Sequence, residues 1–195
     1  MIEKVILPSL IQQKKASKSN EIRIWSAACA SGQEMYSLLI LLNEYQFGSE
    51  AGVHCRAFAT DSSAEQVDIA RKGIFAKNAL GNVTLQQLNT WFTKQGNNYA
   101  IKELLKEHIV FSVFDLLDNA YTCPPESIFG NFDIVFCANM LFYYKKETRE
   151  YILNKVNNSL SDNGFLITSE TERETLIQAG FIEVYPQSSI FRKNK

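Results

Sequence analysis

Three stretches of this sequence place small, acidic or amide residues directly after an apolar run, where main chain and side chain can meet a ligand. The first is Ala27-Ala28-Cys29-Ala30-Ser31-Gly32, followed at once by Gln33-Glu34. Side chains this small let a ligand approach the backbone; they also suit tight packing after a strand, and the pattern alone does not separate the two. The second is Asp61, which ends the run over 53–60. A carboxylate there can accept hydrogen bonds from two ribose hydroxyls, or it can start the Ser62-Ser63 turn and cap the helix behind it. The third is Cys137-Ala138-Asn139-Met140, whose Asn139 can orient a substrate or satisfy its own loop.

Residues so far apart in the chain need a scaffold that brings strand ends together. Positions 22–29 begin apolar and β-branched and then shrink in size, as a buried strand does when it enters a tight turn, here closed by Gly32. From Gln33 onward, Met35, Leu38, Leu39, Leu42 and Tyr45 recur at helical steps, and Glu34 puts negative charge in the first turn, where the helix dipole favours it. A strand over 53–60 is followed by a helix that opens at Ser63-Ala64-Glu65-Gln66 and stops at Gly73. This alternation predicts a parallel sheet.

Further strands are expected over 109–113 and 133–137, then a helix over 146–160, a turn at 161–164 and a strand over 165–168. Two short strands around 181–185 and 189–192 suit an antiparallel edge. Between 74 and 107 the alternation breaks: Leu85, Leu88 and Phe92 at helical spacing precede Gly96-Asn97-Asn98 and Tyr99-Ala100-Ile101. That segment reads as an insertion holding one helix and a small hairpin, and long insertions in compact α/β domains tend to be functional. The expected fold class is α/β, a doubly wound, mostly parallel sheet that binds ligands beyond the carboxyl ends of its strands.

At 195 residues and 46% hydrophobic, residues 1–195 are expected to form one domain with the 74–107 insertion inside it. The 20 basic and 21 acidic residues nearly cancel, so there is no global field to concentrate nucleic acid. Cys29, Cys55, Cys123 and Cys137 form no C-x-x-C pair, and His54 and His108 are far apart, so no metal site is expected and the thiols read as buried in a reducing compartment. The apolar Val5-Ile6-Leu7 is interrupted by Pro8 and followed by Gln12-Gln13-Lys14-Lys15, which fits neither a secretory leader nor a membrane span. A cytoplasmic protein without direct membrane insertion is expected.

The three stretches taken together resemble one family. Ile24-Trp25-Ser26-Ala27-Ala28-Cys29-Ala30-Ser31-Gly32-Gln33-Glu34-Met35-Tyr36-Ser37 looks like the W-S-A-G-C-S-T-G-E-E-P-Y-S signature of CheR-type chemotaxis receptor methyltransferases. Ala59-Thr60-Asp61 and Ala70-Arg71-Lys72-Gly73-Ile74-Phe75 are similar to that family's A-T-D and A-R-x-G-x-Y. The segments Phe111-Ser112-Val113-Phe114-Asp115-Leu116-Leu117 and Phe132 to Tyr144 resemble F-x-x-x-N-L-L and F-D-x-I-F-C-R-N-V-L-I-Y-F, and Leu160, Gly164 and Ser169-Glu170 look like L-x-P-x-G and H-S-E. The matches keep the family's order from about Pro8 nearly to the end.

The resemblance implies a Rossmann-like class I methyltransferase domain that uses S-adenosylmethionine to methylate glutamate side chains of a chemoreceptor-like protein in signal transduction. It puts Ala28, Gly32 and Glu34 at the cofactor, Asp61 on its ribose, Asp115 and Leu116 near its adenine, and Asn139 and Met140 beside its methionine end. Asn139 and Tyr143 would line the site of methyl transfer, although Tyr143 also reads as core. The family's β-subdomain corresponds to the insertion, and in some members it docks a receptor tail.

This sequence departs from the pattern at Ala28 for glycine, Asp115 for asparagine, Ala138 for arginine and Thr168 for histidine. The family's helical N-terminal domain, with an arginine in its T-x-F-F-R segment, is expected to lie outside this sequence. Two other functions remain beside the leading one: a catalytically impaired cofactor-binding module of a signalling assembly, and a small-molecule methyltransferase of the same fold. A nicotinamide-binding domain is disfavoured because the first loop lacks G-x-G-x-x-G.

Overall fold

The computed structural model of the chain describes residues 2–17, 19–47 and 53–192. A π-helical turn, Ile2–Ile6, runs into α1, Leu7–Ala16. Ile6, Leu7, Leu10 and Ile11 recur on one face and are buried, and Pro8 sits in the first turn, where its missing N–H costs no bond. Pro8 therefore lies in the first turn of a helix instead of only interrupting the apolar run Val5-Ile6-Leu7.

The main sheet begins with β1, Glu21–Ser26, which ends three residues before the run over 22–29 suggested. The chain leaves the strand because Ala27 N bonds the Phe136 carbonyl at 2.9 Å and Cys29 N bonds that of Thr60 at 2.8 Å. Then follow α2 (Gln33–Phe47), β2 (His54–Asp61) and α3 (Ala64–Lys72), capped by the Ser63 hydroxyl and stopped by left-handed Gly73.

Residues 74–107 carry β3 (Ile74–Ala76), a 3-10 turn at Lys77–Leu80, α4 (Leu85–Trp91), β4 (Phe92–Gln95), β5 (Asn98–Ile101) and the one-turn α5 (Glu103–Lys106). The β4–β5 hairpin gains β3 to make a separate antiparallel sheet in the order β3-β5-β4. Glu44 on α2 holds α4 of this insertion, accepting Gln87 Nε2 at 2.9 Å and Trp91 Nε1 at 3.3 Å.

The main sheet resumes with β6 (Ile109–Val113) and β7 (Phe132–Phe136), then α6 (Lys146–Ser159), β8 (Leu160–Ile167), α7 (Arg173–Gln178), β9 (Ile182–Glu183) and β10 (Ile190–Arg192). Its order is β6-β2-β1-β7-β8-β10-β9, parallel throughout β6 to β8 and antiparallel at β10 and β9. The chain moves outward from β1 to β6 on one side and returns to β7 on the other. Strand order therefore reverses between β1 and β7, which opens a crevice at their carboxyl ends.

The turn expected at 161–164 lies within β8 as an irregularity: Phe132 pairs with Leu160, and Ile134 next pairs with Phe165. Gly164 permits this, because a Cβ there would stand 2.7 Å from the Phe132 carbonyl oxygen. Alternating strand residues feed separate cores on the two sheet faces. Ile24 and Ile134 join α1 and α2 residues on one side, while Trp25, Val135 and Phe132 join Ile152 and Val156 of α6 on the other. Among the described residues, no helix is long and apolar enough to cross a membrane.

Candidate functional site

A cavity of about 390 Å³ lies where the first loop, Asp61, the segment after β6 and the segment after β7 converge. Of the nine candidate residues, Ala28, Glu34, Asp61, Asp115, Leu116, Asn139, Met140 and Tyr143 line it; Gly32 does not. Gly32 has φ 82°, and a Cβ there would approach the Ala70 Cβ at 3.1 Å, so its small size serves the turn and the packing of α2 against α3. The remaining wall is Ala27, Ala30, Ser62, Phe114, Ala138 and Tyr144. Ser62 and Phe114 carry no sequence signal as site residues; they reach the cavity as chain neighbours of Asp61 and Asp115.

The first loop is fixed from the neighbouring strand. Asp61 Oδ2 accepts the Ala30 N–H at 3.0 Å, and Oδ1 accepts the Ser63 N–H at 3.0 Å. The helix-capping and ligand-facing readings of Asp61 are thus compatible, because an ionised carboxylate has about four acceptor positions and these bonds occupy two. The Ser63 hydroxyl, not Asp61, caps α3 directly, accepting Gln66 N at 3.3 Å.

On the next strand, Phe114 N bonds the Asp61 carbonyl at 3.0 Å and carries Asp115 to the rim. Asp115 Oδ1 accepts Leu117 N at 2.8 Å, which leaves Oδ2 as an acceptor for an exocyclic amine. The loop is held from below by α6. The buried Lys155 donates to the Asp118 carbonyl, with its Nζ 5.6 Å from the Phe114 ring centroid, and Tyr151 OH donates to Asn119 Oδ1 at 2.7 Å.

The segment after β7 is held differently. Asn139 takes the left-handed conformation at φ 59°, which an asparagine tolerates better than most residues. Its N–H and those of Met140 and Leu141 all donate to the carboxylate of Glu172, at 2.7, 2.7 and 2.5 Å. Thr168 Oγ1 and Ser169 Oγ also donate to it, at 3.0 and 2.9 Å. Glu172 is 2% exposed. The resemblance at Ser169-Glu170 does not extend to Glu172, and a carboxylate in an otherwise helix-forming stretch carries no local mark of such a role. Beyond the loop, Tyr143 lines the cavity with its ring centroid 4.3 Å from that of Phe142, and at 78% exposed it is not core.

Charge in the cavity has one sign. Its lining holds Glu34, Asp61 and Asp115 and no lysine, arginine or histidine. Burial raises the pKa of the Tyr144 hydroxyl, with added repulsion from Asp115 and Asp61. The Cys29 thiol is pushed up to about 12 by burial and then by Asp61, and the Cys137 thiol to about 12 by burial and then by Glu172. Neither thiol is a nucleophile at neutral pH. Among the described residues no cluster of three or more His, Cys, Asp or Glu is arranged to hold a metal.

The residues present fit an adenosyl ligand with a cationic tail: small side chains beside the backbone at Ala27, Ala28 and Ala30, carboxylate acceptors at Asp61 and Asp115, and uncompensated negative charge.

Sequence comparison agrees with a ligand of this kind. The family model described as "CheR methyltransferase, SAM binding domain" matches residues 1–184. The chain is 31% identical over 171 residues to a chemotaxis protein methyltransferase of Borreliella burgdorferi, covering 86% of this chain and 58% of that protein. It is 32% identical over 178 residues to chemotaxis protein methyltransferase 1 of Pseudomonas aeruginosa, covering 88% and 61%. The chain thus spans about three fifths of the length of these curated relatives. A solved SAM-dependent methyltransferase from Aquifex aeolicus is 12% identical, covering 93% of this chain and 82% of that one, with a TM-score of 0.48.

Proposed function

Because this chain belongs to the CheR methyltransferase family and matches the family's S-adenosylmethionine-binding domain, we propose that it transfers a methyl group to glutamate side chains of a chemoreceptor-like protein in the cytoplasm. The observation that carries the proposal is the meeting of the first loop, Asp61, Asp115 and Asn139 around one cavity at the switch point of the sheet.

When bound, S-adenosylmethionine supplies an electrophilic methyl on a sulfonium. In this reading Asp61 accepts the ribose hydroxyls with the lone pairs that Ala30 and Ser63 leave free, and Asp115, beside Leu116, accepts the adenine amine. Glu34, with Ala28, faces the cofactor's cationic part, and Asn139 and Met140 line its methionine end. Tyr143, exposed at the cavity wall, offers its ring to an incoming side chain.

No general base is required. A glutamate with a pKa of about 4.3 is already ionised at neutral pH, so the chain's contribution is in-line positioning and exclusion of water. The lack of a histidine in the cavity lining suits that chemistry. The test is a calorimetric titration with S-adenosylhomocysteine, followed by transfer of labelled methyl into a receptor fragment. Binding with base-stable incorporation, as on an amine, would overturn the glutamate assignment.

One observation favours a second reading. The cavity presents three carboxylates without a guanidinium, and Ala138 stands where the family has arginine, so an acidic target meets repulsion at the site. A chain that binds cofactor but turns over slowly, as an interaction module of a signalling assembly, has these features. Tight S-adenosylhomocysteine binding without methyl incorporation would select it.

A further inference from the structure

The segment lining the methionine side of the cavity is shaped by a carboxylate outside the cavity wall. Glu172 follows β8 and precedes α7, and it is buried at 2% exposure. Oε1 accepts the amides of Met140 and Leu141, while Oε2 accepts the amide of Asn139 and the hydroxyls of Thr168 and Ser169. Five donors on one carboxylate fill its acceptor capacity, so Glu172 has nothing left to offer a ligand. Its work is on the loop.

The consequence follows from peptide geometry. In a trans peptide the carbonyl oxygen lies opposite the N–H. With the Asn139 and Met140 amides turned onto Glu172, the carbonyls of Ala138 and Asn139 point away from it. Among the described residues no protein donor reaches either oxygen, whereas the next carbonyl, of Met140, accepts Tyr143 N at 3.2 Å. Ala138 and Asn139 both line the cavity. A loop with this many amides facing backward and left-handed φ at Asn139 does not hold its shape unaided, because those N–H groups would otherwise seek water or helical partners.

We infer that Glu172 is a positioning residue for the methionine end of the cofactor: by binding three successive amides it presents the carbonyls of Ala138 and Asn139 as acceptors toward a cationic ligand tail. The inference rests on the cofactor reading above. Glu172 does not touch the adenosine half, whose contacts are Asp61 and Asp115 on other strands.

That separation gives the test. Glu172→Gln keeps the size of the side chain but replaces one acceptor oxygen by an NH2, which opposes the loop amides donor to donor. Affinities of the unaltered chain and the variant are measured calorimetrically for S-adenosylhomocysteine and for adenosine, which lacks the amino-acid tail, well below the melting temperature of both proteins. The expected result is a loss of about tenfold or more for S-adenosylhomocysteine with adenosine changed by less than about twofold. Equal losses for both ligands, or no loss for either, overturn the inference and leave Glu172 a packing residue. If Glu172→Gln does not yield folded protein, Ser169→Ala removes one donor at the edge of the network, and the same selective loss, about two- to fivefold, is expected; equal losses or none again overturn it. Failure of the unaltered chain to bind S-adenosylhomocysteine removes the cofactor reading itself, and this inference with it.

Discussion

The Oδ2 of Asp61 accepts the backbone N–H of Ala30 at 3.0 Å, so the residue that ends β2 also fixes the loop that leaves β1. One carboxylate thus shapes the cavity as well as facing it, and replacing it acts on both.

Asp61→Ala is expected to weaken S-adenosylhomocysteine binding by about 1.5–3 kcal/mol, or roughly ten- to 150-fold, through lost ribose acceptors and a loosened first loop. Asp61→Asn keeps one acceptor oxygen and should fall between. Calorimetric titration of the variants checks both; unchanged affinity in the alanine variant would take Asp61 out of the site.

The rate of methyl transfer should be nearly flat between about pH 6.5 and 8.5, because the acceptor carboxylate is ionised throughout. The cavity has no histidine or cysteine in its lining, and the pKa of the Tyr144 hydroxyl is raised. A pH–rate profile with a steep rise through neutrality would point to an amine acceptor and a general base.

Ala138→Arg should restore a guanidinium beside the uncompensated carboxylates and lower KM for an acidic receptor fragment by about tenfold, since one partly exposed charge-assisted bond is gained. Affinity for S-adenosylhomocysteine is measured separately, because Ala138 also lines the cofactor cavity. Steady-state kinetics with varied receptor fragment separates the two effects, and an unchanged KM would show that recognition lies elsewhere.

At the far edge of the sheet, Glu183 on β9 pairs with Arg173 through two 2.8 Å hydrogen bonds and also accepts Ser189 N at 2.9 Å. The hydrogen bond from Arg173 is the main cause that lowers the Glu183 pKa from 4.5 to about 2. A carboxylate depressed in the fold stabilises it above its unfolded pKa and loses that contribution as pH falls through the folded value. Glu183→Gln should therefore lower the melting temperature by a few degrees at pH 7, with the difference shrinking below about pH 4.5 and gone near pH 2. A difference that persists unchanged at pH 2 would assign the effect to packing.

Much of the frame was legible locally. The span of β6, the start of α2 at Gln33, and the Ser63 and Gly73 boundaries of α3 all follow from periodicity and capping chemistry, which act over a few residues. The α1 helix is not legible locally because Pro8 is a breaker in a helix interior and a starter in its first turn, and only burial of Leu7, Leu10 and Ile11 decides which. The irregularity in β8 was read as a turn because Gly164 signals a bend in either case; its close approach to the Phe132 carbonyl is a contact between strands.

That Asp61 ends a strand, and that the small residues, Asp115 and Asn139 come after one, is written in local composition, because strand ends are marked by their own residue types. The fold settles that Gly32 serves packing against Ala70 and that Tyr143 stands in solvent, since both depend on what comes near in space. It alone also decided that Glu172 holds the Asn139 loop. Those hydrogen bonds join residues 31 to 33 positions apart, and a carboxylate's partners at that distance are set by the fold's topology, which leaves no periodic trace along the chain.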